Sequence, residues 1–193
     1  ATSVAITTTQ TTAGLIFNQD VTTTGAQTYG APGTITVNAG ADLAVSGKAT
    51  LALTAGARIL LSGGTLANSY TADSDAFEAI TLKANEAGTG TGSGDAAIKL
   101  AAGARISTAA GGGGNISLLG KGSASISHGI FVDGSSIESL GAGTLSLTGT
   151  GGTSAGGTNM GIYLKGVMTG IIGNTGAMLI SGTGGASTGP QNY

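Results

Sequence analysis

The chain repeats itself at intervals too short for a domain and too long for a strand pair. Gly149-Thr150-Gly151-Gly152-Thr153-Ser154 returns as Gly182-Thr183-Gly184-Gly185-Ala186-Ser187, an offset of 33 (182 − 149). Gly129-Ile130-Phe131-Val132-Asp133-Gly134 returns as Gly161-Ile162-Tyr163-Leu164-Lys165-Gly166, an offset of 32 (161 − 129). In the first half, Ala55-Gly56-Ala57-Arg58-Ile59 returns as Ala102-Gly103-Ala104-Arg105-Ile106 at an offset of 47 (102 − 55), and Ala39-Gly40-Ala41-Asp42-Leu43 precedes it by 16. A unit of about 32 residues cannot bury an apolar face alone, but stacked on its neighbours it can.

Within the units the hydrophobic period is two. Val4-Ala5-Ile6-Thr7, Thr34-Ile35-Thr36-Val37, Leu43-Ala44-Val45, Ala49-Thr50-Leu51-Ala52-Leu53 and Arg58-Ile59-Leu60-Leu61 alternate an apolar residue with a small or polar one. So do the stretches around Ile80, Ile98, Ile116, Ile130, Leu145, Ile162 and Leu179. In the first half the strand centres Ile35, Leu43, Leu51 and Ile59 step by 8, so three strands complete a turn in about 24 residues. The nearest helix candidate, 72–82, is weakened by β-branched Ile80 and Thr81, and near-zero helix is expected.

These patterns predict an all-β chain, a right-handed parallel β-helix of about seven turns over 1–193. Its first half, 1–110, is irregular, and repeats of about 32 residues fill 111–193. At about 4.8 Å per turn the rod is on the order of 33 Å long. Two insertions, 62–76 and 85–94, are expected to bulge out as loops. The sequence stops after Asn192-Tyr193, the equivalents of Asn159-Met160, where the next strand is due. An excerpt of a longer array, or a subunit whose ends are covered by neighbours, is expected.

Composition narrows the function classes. Glycine supplies 38 of 193 residues, charged residues only 8%, and the net charge is -2. The glycines lack the every-third-residue period of collagen. The seven cations, Lys48, Arg58, Lys83, Lys99, Arg105, Lys121 and Lys165, are spread singly, so the footprint of nucleic-acid binding is missing. No apolar run approaches the ~18 residues of a membrane-spanning helix. With no cysteine there is no disulfide and no thiolate chemistry.

Thr24-Gly25-Ala26-Gln27-Thr28-Tyr29, Gly114-Asn115-Ile116-Ser117-Leu118, the run from Gly143 through Thr144-Leu145-Ser146-Leu147-Thr148 to Gly152, and the strand entry His128-Gly129-Ile130-Phe131-Val132 resemble a known repeat type. They are similar to the repeats of filamentous haemagglutinin-like exoproteins and β-helical autotransporter passengers of Gram-negative bacteria, from about Val21 onward. The resemblance implies secretion to the cell surface, a right-handed β-helix, and a role in adhesion or matrix-building. Partners would be neighbouring repeats, further copies of the chain, glycans or host surfaces.

Few residues carry chemistry. His128, the sole histidine, aligns with Met160 and Tyr193 and reads as a rim packing position. Asp73, Asp75 and Glu78 are the one cluster of acids, a weak Ca²⁺ candidate that lacks the glycine and full ligand set of an EF-hand loop. No cofactor and no catalytic residue is expected. A polysaccharide-processing β-helix enzyme is the alternative, and would need carboxylates gathered with cations in a groove. The run from Gly88 to Asp95 has the wrong glycine spacing for a calcium-binding nonapeptide, and Gly111-Gly112-Gly113-Gly114 lacks the Lys-Ser/Thr of a phosphate loop. Asn115-Ile116-Ser117 fits a glycosylation acceptor, and Thr7-Thr8-Thr9-Gln10-Thr11-Thr12 is too irregular for a flat threonine array. The interaction-surface candidates follow from the repeat. With Ile130, Val132, Ile162 and Leu164 inward, Phe131 should stack on Tyr163 and Asp133 should sit beside Lys165 on the outer face.

Overall fold

The computed structural model describes residues 2–91, 94–154, 158–167 and 169–186. In chain order the strands are β1 (Val4–Thr7), β2 (Leu15–Phe17), β3 (Val21–Thr23), β4 (Gln27–Ala31), β5 (Thr34–Asn38), β6 (Asp42–Val45), β7 (Leu51–Ala55), β8 (Arg58–Ser62), β9 (Thr65–Asn68) and β10 (Phe77–Ala84). They continue with β11 (Gly94–Ala101), β12 (Arg105–Thr108), β13 (Gly114–Lys121), β14 (Ile126–Asp133), β15 (Ser136–Ser139), β16 (Leu145–Thr150), β17 (Ile162–Lys165), β18 (Gly170–Gly173) and β19 (Met178–Thr183). Every third strand stacks in one sheet. The first sheet is β1-β4-β7-β10-β13-β16-β19, the second β2-β5-β8-β11-β14-β17 and the third β3-β6-β9-β12-β15-β18. All three are parallel, and the described residues contain no helix. This is a parallel β-helix of about seven turns, as the repeats require.

Register aligns like with like. In the second sheet Leu15, Ile35, Ile59, Ile98, Ile130 and Ile162 form one column. In the first sheet Tyr29, Leu53, Leu82, Leu118, Leu147 and Ile180 form another. Most of these side chains are fully buried, and each buried Leu or Ile contributes about 1.5–3 kcal/mol. Near the start the core is partly polar. The Gln27 amide donates to the carbonyls of Val21 and Ala44, tying the first sheet to the third, and accepts from Tyr29 Oη at 3.1 Å. Tyr29 meets Phe17 edge-on at 4.7 Å.

Each corner has its own chemistry. Between the second and third sheets the chain passes through a positive-φ glycine in five turns: Gly40, Gly63, Gly103, Gly134 and Gly166. The backbone there is left-handed, which glycine alone adopts without a Cβ penalty. Between the third sheet and the first, a column of Thr23, Val45, Asn68, Thr108, Ser139 and Gly173 turns the chain. Thr23 and Ser139 hydroxyls donate to the Gly25 and Gly143 carbonyls, and the Asn68 amide donates to Ala49 O.

The corner between the first and second sheets changes along the rod. Ala31, Ala55 and Ala84 are followed in the same column by Gly120, Gly149 and Gly182. A Cβ at Gly129 would stand 2.6 Å from Gly120 O and 2.7 Å from Gly161 O. The two walls therefore touch backbone to backbone. Beyond this pinch each later turn makes an excursion, described at 85–91, 122–125, 151–154 and 158–161, and the excursions stack as a fin. Asn85 Nδ2 donates to Lys121 O at 2.6 Å, Ser123 Oγ to Gly90 O at 2.8 Å, and Thr153 N to Ser123 O at 3.0 Å. Asn159 Nδ2 donates to Ala186 O at 2.9 Å.

The fin explains the two periods. Turns without it take about 24 residues (Gln27 to Leu51, 51 − 27 = 24), and turns with it about 32 (Ile130 to Ile162, 162 − 130 = 32). The expected insertion 85–94 is thus the first layer of a repeated feature. The expected insertion 62–76 is corrected: Thr65–Asn68 is the regular strand β9, paired with β6 and β12, and only 69–76 loops out. The 47-residue match is also not a stacking repeat. Arg58 opens β8 in the second sheet and Arg105 opens β12 in the third. Ala39-Gly40-Ala41 and Ala102-Gly103-Ala104 do share a corner, two turns apart. Of the 32- and 33-residue repeats, 187 and 192–193 lie outside the described residues.

The pinch and the left-handed corner give separable costs. Gly129→Ala should destabilise by about 1–3 kcal/mol through overpacking. Gly40→Ala, with open space around it, should cost about 1–2 kcal/mol from backbone strain alone. Urea titrations of both variants should show losses in these ranges, and Gly40→Asn should recover part of the second loss because Asn tolerates the left-handed region.

Candidate functional site

The outer face of the second sheet concentrates the side chains with most chemical character. Its central column runs Ile16, Thr36, Leu60, Lys99, Phe131 and Tyr163. Strand alternation turns these six outward, because Ile35, Ile59, Ile98, Ile130 and Val132 fill the core. Phe131 and Tyr163 are stacked, with centroids 4.9 Å apart and planes 15° from parallel. Asp133 stands opposite Lys165 in the register. Although it points out, Phe131 is only 6% exposed. Lys99 Nζ lies 5.1 Å from its ring centroid, and the His128 ring packs edge-on at 5.8 Å.

Beside Phe131 lies a group of paired charges. Asp95 bridges Lys99 of its own strand and Arg58 of the turn above, the latter at 3.2 Å. Burial pushes the Asp95 carboxyl up, but its hydrogen bond and charge contact with Lys99, aided by Arg58, leave it below the usual range. Arg58 is lowered by burial, opposed by Asp95, and its Nε donates to Ala96 O at 2.8 Å. On the third sheet Arg105 holds Glu138 at 2.5 Å and keeps its carboxyl low, against a partial desolvation.

The acids 73, 75 and 78 lie apart in function. Asp73 and Asp75 share Lys48, at 2.9 and 3.3 Å, and Asp73 also accepts from Tyr70 Oη at 2.7 Å. The Tyr70 bond, then the Lys48 bond, lowers the Asp73 carboxyl. Glu78 instead accepts from Asn115 Nδ2 at 3.2 Å. Among the described residues no three His, Cys, Asp or Glu side chains gather in a metal-holding group. Asn115 Oδ1 also accepts the Thr144 N–H at 2.8 Å, so both ends of the acceptor-pattern amide are engaged.

A groove of about 740 Å³ opens where the fin begins. The first fin layer, Thr89 to Thr91, lines it together with Pro32, Gly33, Gly56 and Ala57, and with Thr11, Thr12, Thr34, Thr36 and Ile16. Among the described residues no charged side chain lines it. Sequence reasoning missed this groove because its walls come from four turns, and only the change of period between them hints at a step.

The chain matches no family model, no curated protein and no solved structure. The geometry therefore carries the functional argument without relatives. It offers an aromatic stack with paired charges, a neutral hydroxyl-lined groove, and carboxylates distributed over separate parts of the rod.

Two measurements probe this face. A double-mutant cycle of Phe131→Leu and Tyr163→Leu should return a coupling of about 0.5–1.5 kcal/mol. Glu138 has a depressed folded-state carboxyl, so its contribution is full above the unfolded value of about 4.3 and is lost as pH falls through the folded one. The fall in urea midpoint between pH 6 and pH 3.5 should be smaller in Glu138→Gln than in the parent chain.

Proposed function

We propose that this chain is a segment of an extracellular, cell-surface fibre with a structural or adhesive role. The observation that carries the reading is the unbroken stack: the same interior columns run through about seven parallel turns. A rod of this kind presents its surface features at fixed axial spacing, so weak contacts add through multivalency. Its surface chemistry supports contact over catalysis. Charge is sparse and much of it is held in ion pairs within and between turns, which leaves little repulsion between neighbouring rods. The threonine groove and the half-buried Tyr163 ring offer neutral, hydrogen-bonding and apolar contacts of the kind a glycan or another rod can use.

A self-assembling filament is a second version of the same role. Leu164, Met178 and Ile180 continue interior columns into the last described turn, where they are 48%, 43% and 51% exposed. Those columns accept a further apolar rung.

Electron microscopy with immunolabelling of the native source tests both versions. Thin rods tethered at the cell surface, with a 4.8 Å axial reflection, support the fibre segment. Long uniform filaments with this chain as the repeating mass support the filament. A soluble, unanchored monomer that cleaves a polysaccharide panel would overturn both.

A further inference from the structure

We infer that His128 is an acid-sensitive lock between the fifth and sixth turns of the rod, closed by the neutral imidazole and opened by its protonation. The lock sits where the fin joins the second sheet. Met160 N–H donates to His128 Nδ1 at 3.1 Å, and Met160 O accepts the Gly129 N–H at 3.1 Å. The returning chain of the sixth turn is thus held at two points before it enters β17. Because Nδ1 accepts, the ring proton resides on Nε2 and the imidazole is neutral.

The surroundings oppose a charge at this position. His128 is 6% exposed and is walled edge-on by Phe131 and, at 5.2 Å, by Tyr163. The charged groups facing it are Asp95 and Lys99 of β11 and, beyond them, Arg58 of β8; β17 contributes Tyr163. Asp95 is the one carboxylate that could favour an imidazolium, and it is already held between Lys99 and Arg58. Burial accordingly lowers the basicity of the ring, with Asp95 opposing weakly.

Protonating Nδ1 turns an acceptor into a donor. The Met160 N–H then faces another N–H, loses its partner, and a cation is left against two aromatic rings. The folded-state value is depressed, so the stabilising effect is full above the unfolded value of about 6.5 and is lost as pH falls through the folded one. The sixth turn, 158–165, loosens first, and the outer edge of the Phe131/Tyr163 stack opens with it. This behaviour is independent of whether the rod is a fibre segment or a filament subunit.

The chain has one histidine, so its imidazole resonances can be followed without ambiguity. The expected result is a titration midpoint below the ordinary histidine range, with the Nε2–H tautomer at neutral pH. Hydrogen-exchange protection factors at 160–165, corrected for intrinsic rates, should fall roughly tenfold between pH 7.5 and pH 5, while those of β7 and β8 hold. His128→Asn places an acceptor oxygen near the Nδ1 position without a titrating group, and should keep protection at both pH values. A midpoint at or above the ordinary range, unchanged protection in the parent chain, or the same acid loss in His128→Asn would each overturn the lock. The first two readouts use the unaltered protein, so they decide the matter even if the variant folds poorly.

Discussion

Parallel stacking in register is the constraint on which the rest depends. Once β4 lies on β1 and β5 on β2, every residue is committed to a column and must suit the residues above and below it. Ile35, Ile59, Ile98, Ile130 and Ile162 illustrate the rule, since five turns place the same side chain at one height of the wall. A one-residue slip in any turn would send that turn's core residues to the solvent face. Loops escape the constraint only by leaving the stack, as 69–76 does, or by founding a stack of their own, as the fin does.

The fin also shows how a solenoid changes cross-section without losing register. The column that begins as Ala31, Ala55 and Ala84 ends as Gly120, Gly149 and Gly182. Removing one methyl from each wall lets the walls meet, and the chain then runs outward and back as paired backbone before re-entering the second sheet. Side-chain amides and hydroxyls (Asn85, Ser123 and Asn159) satisfy backbone carbonyls that the narrow layer cannot pair within itself. His128 belongs to the same seam, which is why a buried ring there contacts both layers.

Much of this was legible in the sequence, and the illegible parts share a cause. Strands with two large inward residues, such as Leu51 and Leu53 or Ile59 and Leu61, announce themselves through period-two alternation. The third sheet mostly has one. Its inward pairs are Leu66 with Asn68, Ile106 with Thr108 and Ile137 with Ser139, because the second position must turn the corner by hydrogen bonding. Half the signal is therefore polar, and β9 was hidden inside an expected insertion. Offsets of 32 and 33 gave the pairing of Phe131 with Tyr163 directly, whereas the 47-residue match misled because two different corners use the same Ala-Gly-Ala chemistry. The groove and the shared lysine of Asp73 and Asp75 depend on loop paths between turns, which no local pattern encodes.

The pinch has a mechanical consequence. A beam resists bending least across its thinnest dimension. Where glycine backbones touch, the base of the fin is a web one strand pair thick, while Ile116, Leu118, Ile130, Val132, Leu145 and Leu147 keep the main section of the later turns filled. Side loads should therefore flex the fin about the web and leave the filled section stiff. Glycine at 120, 149 and 182 would then set a preferred direction of bending as well as a shape.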